Sequence, residues 1–285
     1  MDTIAIVGMG LIGGSIGMAV KNKGISKKVI GISRNIQNLE EAVKKEAIDE
    51  YTLDLIDGTK SADIVFICTP ISTVVPTAKT IFSSVKDGCI ITDVASSKAD
   101  IVKELERCVP ERIFFVGGHP MAGSERSGIK AATKYLLEGN NYVLTQTSYT
   151  NKSALQKLVS FIEKLDVNIT IMTPEEHDFT VVAISHMPIA IAVSLVNTIV
   201  ELKQNRDNCV KLASSGFRDT TRIASGNIQM GIDMFSTNKS AILEMLKNFK
   251  SELDLLESAI RNGDLKAMEN LLKKAKEFRD SIYGS

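Results

Sequence analysis

The sequence predicts an α/β domain built on a doubly wound parallel sheet, followed by an all-α domain. In the first half, short apolar runs rich in β-branched residues alternate with amphipathic helical stretches, and after residue 172 such runs stop. Runs without polar alternation are typical of strands covered on both faces, as in parallel sheets. We predict strands at residues 4–7, 29–32, 63–68, 89–92 and 113–116, with 141–145, a helix at 152–165 and 167–172 completing the sheet.

The chain changes character near residue 172. Thr173, Pro174 and Glu176 form the pattern of a capping box, which starts a helix. We therefore predict two domains, residues 1–172 and residues 173–285. The predicted helices of the second domain span 174–203, 207–224, 238–262 and 264–282, with Gly263 as a stop and Asp264 as a cap.

The composition indicates a soluble globular protein that acts on a small molecule. Hydrophobic residues make up 44% and charged residues 24% of the 285 residues, and 34 basic side chains balance 34 acidic ones. A net charge of zero argues against nucleic-acid binding, which depends on a basic surface. The apolar stretch at 179–200 has the length of a membrane span. Polar residues inside it, such as His186 and Asn197, favour a helix of a soluble domain instead.

The first residues and the cysteines predict a cytoplasmic protein. Residues 1–8 form an apolar strand without the basic segment of a signal peptide. Cys68, Cys89, Cys108 and Cys209 show no metal-binding or redox spacing. We therefore expect reduced, structural cysteines and no metal site.

A glycine-rich loop at residues 8–13 directly follows the first predicted strand and opens a helix. This Gly-x-Gly-x-x-Gly pattern permits a tight turn, lets the backbone approach a pyrophosphate, and packs helix and strand closely. The helix N-terminus also offers N–H groups to phosphates. Within a β-α-β repeat, the pattern favours a Rossmann-type dinucleotide site over a ligand-free turn.

The end of the second strand favours NADP over NAD as the cofactor. NAD enzymes usually carry an acidic residue here, which binds the ribose 2′-hydroxyl, whereas this chain has Ser33 and Arg34. Arg34 can pair with a 2′-phosphate, although it can also stack on adenine or point to water. The predicted cofactor-binding residues are Gly8, Gly10, Leu11, Ile12, Gly13, Ser33, Arg34, Thr69 and Pro70.

Polar segments follow the carboxyl ends of the predicted strands, where open parallel sheets bind ligands. They contain Thr69, residues 93–98 and residues 117–125. His119, one of three histidines, lies in the last segment, in a loop framed by glycine and proline. Opposite a nicotinamide, a histidine in this place favours acid–base catalysis over a structural role.

These segments closely resemble those of the prephenate/arogenate dehydrogenases, which are enzymes of tyrosine biosynthesis. The resemblance covers nearly the whole chain in the family's order. It implies oxidative decarboxylation of prephenate to 4-hydroxyphenylpyruvate, with hydride transfer to NAD(P). The matching segments are the glycine loop extended by Gly14 and Ser15, and residues 93–98, 117–125, 176–178, 185–188 and 216–222.

The resemblance also implies roles for individual residues. His119 removes the proton of the substrate's ring hydroxyl, and Ser96 orients the imidazole. Arg222 binds and positions a substrate carboxylate, a task that suits a planar, bidentate guanidinium. The other predicted substrate-binding residues, from the same matching segments, are Ser124, Glu125, His186 and Asp219.

Two departures from the family pattern leave the choice between prephenate and arogenate open. Ile189 stands where the family often has a second histidine, and Gly231 stands where a tryptophan is common. Two rival hypotheses are another β-hydroxyacid as the substrate and an NADP-binding sensor without turnover. The joint presence of His119, Ser96 and Arg222 argues against the sensor.

His177 and His186 lie nine residues apart on one predicted helix. At about 100° per residue they would point to opposite faces, so a regular helix can direct only one of them into a pocket. A bend at Pro188 would relax that limit. For His177, capping or hydrogen bonding between helices stands beside a role in the site.

The helix predicted at 174–203 is apolar on every face and must therefore be surrounded. A domain of about 110 residues has few helices with which to enclose it. We predict a homodimer formed through the helical domain, with cover by the chain's own helices as the alternative.

Overall fold

The computed structural model describes residues 1–124 and 126–284. The six strands of its main sheet are β1 (Thr3–Val7), β2 (Lys28–Ile32), β3 (Glu50–Thr52), β4 (Ile64–Ile67), β5 (Ile90–Asp93) and β6 (Phe114–Val116). They are all parallel and lie in the order β3-β2-β1-β4-β5-β6, which is the strand order of a doubly wound dinucleotide-binding domain. The five strands predicted for the core of the sheet are confirmed. The edge strand β3 escapes prediction because its three residues do not form an apolar run.

Helices cover both faces of this sheet. Ile4 and Ile6 of β1 pack into one apolar core, whereas Ala5 and Val7 pack into the core on the opposite face. The helices of this part are α1 (Leu11–Asn22), α2 (Ile36–Lys44), α3 (Leu55–Thr59), α4 (Ile71–Ile81), α5 (Ala99–Glu106) and α6 (Lys152–Ile162). The first core is closed by α1, α2 and α6, and the second by α4 and α5.

The last predicted strands form a separate sheet, so the prediction that 141–145 and 167–172 complete the main sheet is wrong. β8 (Asn141–Thr145) pairs antiparallel with β7 (Gly118–Pro120) and parallel with β9 (Asn168–Met172). His119 therefore lies in a short strand and not in a loop. A Cβ at Gly118 would lie 2.8 Å from the carbonyl oxygen of Asp93. Because only glycine permits this approach, the chain can pass over the end of β5 and leave the main sheet.

Among the described residues after Met172, all the regular elements are helices. They are α7 (Pro174–Val181), a π-helical turn (Val182–His186), α8 (Met187–Val200), α9 (Arg206–Leu212), α10 (Ser215–Thr221), a 3₁₀ turn (Arg222–Ser225), α11 (Ile228–Thr237), α12 (Lys239–Asn262) and α13 (Leu265–Tyr283). The capping box of Thr173 and Glu176 is confirmed. So is the cap of α13, where Asp264 accepts the N–H of Ala267. The helix predicted at 207–224 is two shorter helices, and α11 was not predicted.

The π-helical turn interrupts the long helix directly before Pro188. Proline has no N–H to bond to the carbonyl four residues earlier, which disfavours a regular α-helical turn. The wider π turn rotates the chain by less than about 100° per residue. The predicted distortion is therefore present. His177 and His186 are both buried, with exposed fractions of 0% and 1%.

The chain forms two compact units, residues 1–238 and residues 239–285. The first unit contains both sheets and the helices as far as α11. In the second, α12 and α13 pack against each other. The domain boundary at residue 172 stays a prediction. The stretch Pro174–Val200 is long and apolar enough to cross a membrane, a property that it shares with core helices of soluble proteins.

Candidate active site

A cavity of about 640 Å³ opens at the carboxyl ends of β1, β2 and β4. This volume lies within the range of ligand sites in proteins. Six of the predicted cofactor-binding residues line it: Gly8, Gly10, Ser33, Arg34, Thr69 and Pro70. The other three, Leu11, Ile12 and Gly13, lie at the start of α1, immediately after the lining residue Gly10.

The glycine loop has the shape that a pyrophosphate requires. Gly8 has a φ of 102°, and a Cβ there would lie 2.5 Å from the carbonyl oxygen of Cys68. At Gly10 a Cβ would meet nothing within 4 Å, so the space next to this residue is open to a ligand. Thr69 lines the cavity, and its buried Oγ1 has no hydrogen-bond partner within the described chain. These features fit a bound dinucleotide.

His119 is connected to two further titratable side chains, which we call the His-His-Asp chain. Its Nδ1 lies 2.8 Å from Nε2 of His177, and His177 Nδ1 lies 2.7 Å from Oδ1 of Asp178. Asp178 also accepts the backbone N–H groups of Lys98 and Ala99, at 2.7 and 2.9 Å. Asp178 thereby joins the start of α5 to α7, the helix whose His177 contacts His119.

A buried ion pair fixes the residue that precedes His119. The Lys98 ammonium donates to the Asp93 carboxylate, and both side chains are 0% exposed. Lys98 Nζ also donates to the carbonyl of Gly118 at 2.9 Å, and Asp93 Oδ1 accepts the N–H of Gly118 at 3.2 Å. Both backbone polar groups of Gly118 are therefore held by the pair. Burial lowers the pKa of Lys98, and Asp93 counteracts this effect.

The surroundings of His119 keep its imidazole neutral. Burial lowers the pKa of His119 well below 6.5, and electrostatic interactions with His177, Lys98 and His186 contribute in the same direction. A neutral imidazole at pH 7 is able to accept a proton from a substrate. The site thus provides a base at the carboxyl edge of the sheet.

His186 lies near this base and is itself buried. Neither of its ring nitrogens has a hydrogen-bond partner within the described part of the chain. Burial lowers the pKa of His186 to about 4. Buried polar atoms are normally hydrogen-bonded, so the two unpaired nitrogens distinguish His186 from most buried polar side chains.

Ser96 lies between β5 and α5 and is half-buried. In the described structure no hydrogen bond joins it to His119, whose Nδ1 is bound by His177. The orienting role predicted for Ser96 stays a prediction. Asp178, Lys98 and Asp93 were named only within matching segments and had no predicted catalytic role. For His177, a role in the site stood beside capping or hydrogen bonding between helices, and its contact with His119 was not predicted. The signal available in the sequence was that these residues stand close together within two short segments, 93–98 and 176–178.

The remaining predicted substrate-binding residues lie at the surface. Ser124 Oγ accepts the N–H of Arg126 at 3.1 Å. Asp219 on α10 forms an ion pair with Arg218 at 2.9 Å. Arg222 begins the 3₁₀ turn that contacts α8. Glu125 lies outside the described residues.

A cavity for a dinucleotide and a neutral base at the same sheet edge supply what hydride removal from an alcohol requires. The fold and the site together therefore define a nicotinamide-dependent dehydrogenase. The chain belongs to the prephenate dehydrogenase family, which confirms the resemblance noted above. Residues 16–171 match the family model "Prephenate dehydrogenase, nucleotide-binding domain", and residues 173–274 match "Prephenate dehydrogenase, dimerization domain".

Individual relatives agree with this assignment. A prephenate dehydrogenase of Bacillus subtilis is 36% identical over 282 residues, which cover 99% of this chain and 76% of that protein. The structure of prephenate dehydrogenase from A. aeolicus, in complex with hydroxyphenyl propionate and NAD+, is 32% identical. It has a TM-score of 0.91 and covers 99% of this chain and 98% of that chain. Arogenate dehydrogenase from Synechocystis is 35% identical, with a TM-score of 0.86 and coverage of 98% and 99%.

Proposed function

We propose that this chain catalyses the oxidative decarboxylation of prephenate to 4-hydroxyphenylpyruvate. The observation that carries the proposal is the neutral imidazole of His119, which lies at the sheet edge where the dinucleotide cavity opens. The names of the B. subtilis and A. aeolicus relatives support prephenate as the substrate. The test is a steady-state assay with each substrate and each cofactor, described at the end of the Discussion.

In the proposed reaction, His119 takes the proton of the ring hydroxyl while the carbon that carries this hydroxyl loses a hydride. When bound, the nicotinamide ring accepts that hydride. The bond between the ring and its carboxylate breaks, CO2 leaves, and the electron pair of this bond enters the ring. His119 returns the proton to the oxygen as the ring becomes aromatic. Arg222, with Ser124, His186 and Asp219, is proposed to hold the substrate, and Ser96 to contact the base once the ligands are bound.

Arogenate is the second candidate substrate. The similarity to the Synechocystis arogenate dehydrogenase supports it. Ile189 and Gly231, which stand where many family members carry histidine and tryptophan, leave the choice between the two substrates open. The same base and the same proton path would serve either substrate, because both carry the ring hydroxyl and the ring carboxylate.

We further propose that NADP is preferred over NAD. In the described lining of the cavity, Arg34 is the only charged side chain, and no carboxylate opposes a 2′-phosphate. A guanidinium can bind a phosphate through two parallel hydrogen bonds. Ser33, next to it in the lining, adds no negative charge.

Replacement Arg34→Ala should raise the KM for NADP by about 10- to 100-fold, because a charge-assisted hydrogen bond contributes about 1.5 to 3 kcal/mol. The KM for NAD should change far less, since NAD lacks the 2′-phosphate. Arg34→Lys is the matched control, because it keeps the charge but cannot form two parallel hydrogen bonds. Its KM for NADP should lie between the values of the wild-type protein and of Arg34→Ala. A wild-type preference for NAD, together with an unchanged KM for NADP in Arg34→Ala, would contradict the proposal.

We also propose that the protein is a homodimer formed through its helical region. Phe179, Ile184 and Val200 on the long helix are 50%, 64% and 49% exposed in the single chain. Large apolar side chains at this exposure are costly in water, and a second subunit would cover them. The family model matched by residues 173–274, which describes a dimerization domain, supports this assembly.

Light scattering at low micromolar concentration should therefore give twice the chain mass of 31.0 kDa. A mass of 31.0 kDa would contradict the dimer. The domain boundary at residue 172 and a cytoplasmic location complete the proposal. The location is supported by four cysteines that form no disulfide, which suits a reducing compartment.

A further inference from the structure

The carboxylate of Asp178 determines the direction of the hydrogen bonds in the His-His-Asp chain. Its Oδ1 and Oδ2 accept the backbone N–H groups of Lys98 and Ala99, which can only donate. These N–H groups belong to the start of α5, where the helix dipole also favours a negative charge. Asp178 is therefore an ionised acceptor toward each partner, and His177 Nδ1, at 2.7 Å, must donate to it.

The donor role of Nδ1 determines the rest of the chain. When His177 is neutral it has one N–H, so its Nε2 is an acceptor. The atom that faces it at 2.8 Å is Nδ1 of His119, which must supply the proton of this hydrogen bond. Nε2 of His119 is then left with the lone pair. A histidine without such partners is able to adopt either tautomer, and only one of them presents a base through Nε2.

We infer that His177 and Asp178 are positioning residues, which hold His119 in the tautomer that carries its proton on Nδ1 and accepts the substrate's proton at Nε2. The inference depends on the proposed function only in one respect, namely that the proton accepted at Nε2 comes from the ring hydroxyl of the substrate. For a neutral His177, the tautomer of His119 follows from the contacts alone.

The tautomer can be measured without substrate or cofactor by NMR of protein labelled with ¹⁵N-histidine. The couplings between the carbon-bound ring protons and the ring nitrogens distinguish Nδ1–H from Nε2–H. The chain has three histidines, so the spectrum of His119→Asn assigns the signals of His119. We expect the Nδ1–H form for His119 and for His177 in the wild-type protein. His119 in the Nε2–H form would overturn the inference, whether or not the protein turns over prephenate.

Two substitutions test the consequence for catalysis. His177→Phe keeps an aromatic ring but removes the acceptor for His119. It should shift His119 toward the Nε2–H form and lower kcat by about 10- to 100-fold, a range typical for partners that orient a functional imidazole. The KM for the dinucleotide should not change. His177→Gln places an amide oxygen near the position of Nε2 and should restore the Nδ1–H form and most of kcat.

These outcomes separate a positioning role from a structural one. A structural role would reduce stability in both variants and leave the His119 tautomer unchanged. Near-normal kcat in His177→Phe, or equal losses in kcat for His177→Phe and His177→Gln, would overturn the inference. If wild-type protein shows the expected tautomer but turns over neither prephenate nor arogenate, the proposed function fails and the assignment of the positioning residues stands.

Discussion

Replacement of His119 by asparagine is expected to lower kcat by about 10²- to 10⁴-fold, the loss that accompanies removal of a general base. The amide nitrogen of asparagine lies near the position of Nδ1 and can still donate to His177. The His-His-Asp chain therefore keeps its partner, and only the basic nitrogen is lost. The affinity for NADP and the free energy of unfolding should stay close to wild-type values. A variant with near-normal kcat would remove His119 from the mechanism.

The pH dependence of the wild-type enzyme provides a second readout of the same base. His119 must be neutral to accept a proton, and burial, with electrostatic interactions from His177, Lys98 and His186, lowers its pKa well below 6.5. Because of this low pKa, the base becomes protonated only at pH values well below 6.5. We therefore expect kcat/KM to stay level through pH 6.5 and to decline only at lower pH. A decline centred at or above pH 6.5 would show that the imidazole is not held in its neutral form.

Lys98→Met is expected to destabilise the protein by about 3 to 5 kcal/mol, the usual cost of leaving one member of a buried ion pair without its partner. Methionine fills much of the same space, so loss of the charge dominates over loss of packing. Asp93 would remain 0% exposed and would keep only the N–H donors of Ala95 and Gly118. Urea unfolding at a fixed protein concentration measures the difference.

The double variant Lys98→Met with Asp93→Asn is the matched control. It removes the uncompensated charge while the asparagine oxygen can still accept a backbone N–H, so it should lose less stability than Lys98→Met alone. A loss below about 1 kcal/mol for Lys98→Met would mean that the pair is not buried in solution. A larger loss in the double variant than in the single one would argue that packing, and not charge, maintains this region.

Most of the fold could be predicted because its signals are local. The apolar runs of the main sheet and the capping box at Thr173 depend on neighbouring residues alone. The short strand β7 could not be predicted in this way. Gly118 and Pro120 have little intrinsic preference for a strand, and pairing with β8 across the fold creates it. The second sheet was missed for the same reason.

The candidate site was predicted in part. His119 and the glycine loop stand at strand ends, where the topology of a parallel sheet directs ligands. The contact between His119 and His177 was not foreseen. Its prediction requires the tertiary contact between β7 and α7, whereas the helical period describes only the relation of His177 to His186. Lys98 was not foreseen because a lysine before a helix is normally solvated, and its burial depends on Asp93 and on the carbonyl of Gly118.

The most direct test of the proposed function is a steady-state assay of the purified protein with prephenate or arogenate, each combined with NADP or NAD. We expect the reduced nicotinamide to form in equal amounts with CO2 and 4-hydroxyphenylpyruvate when prephenate is supplied, with a lower KM for NADP than for NAD. His119→Asn, assayed in parallel, should bind NADP and form almost no product. Wild-type protein that binds NADP but forms no product from either substrate would contradict the account and indicate a sensor without turnover.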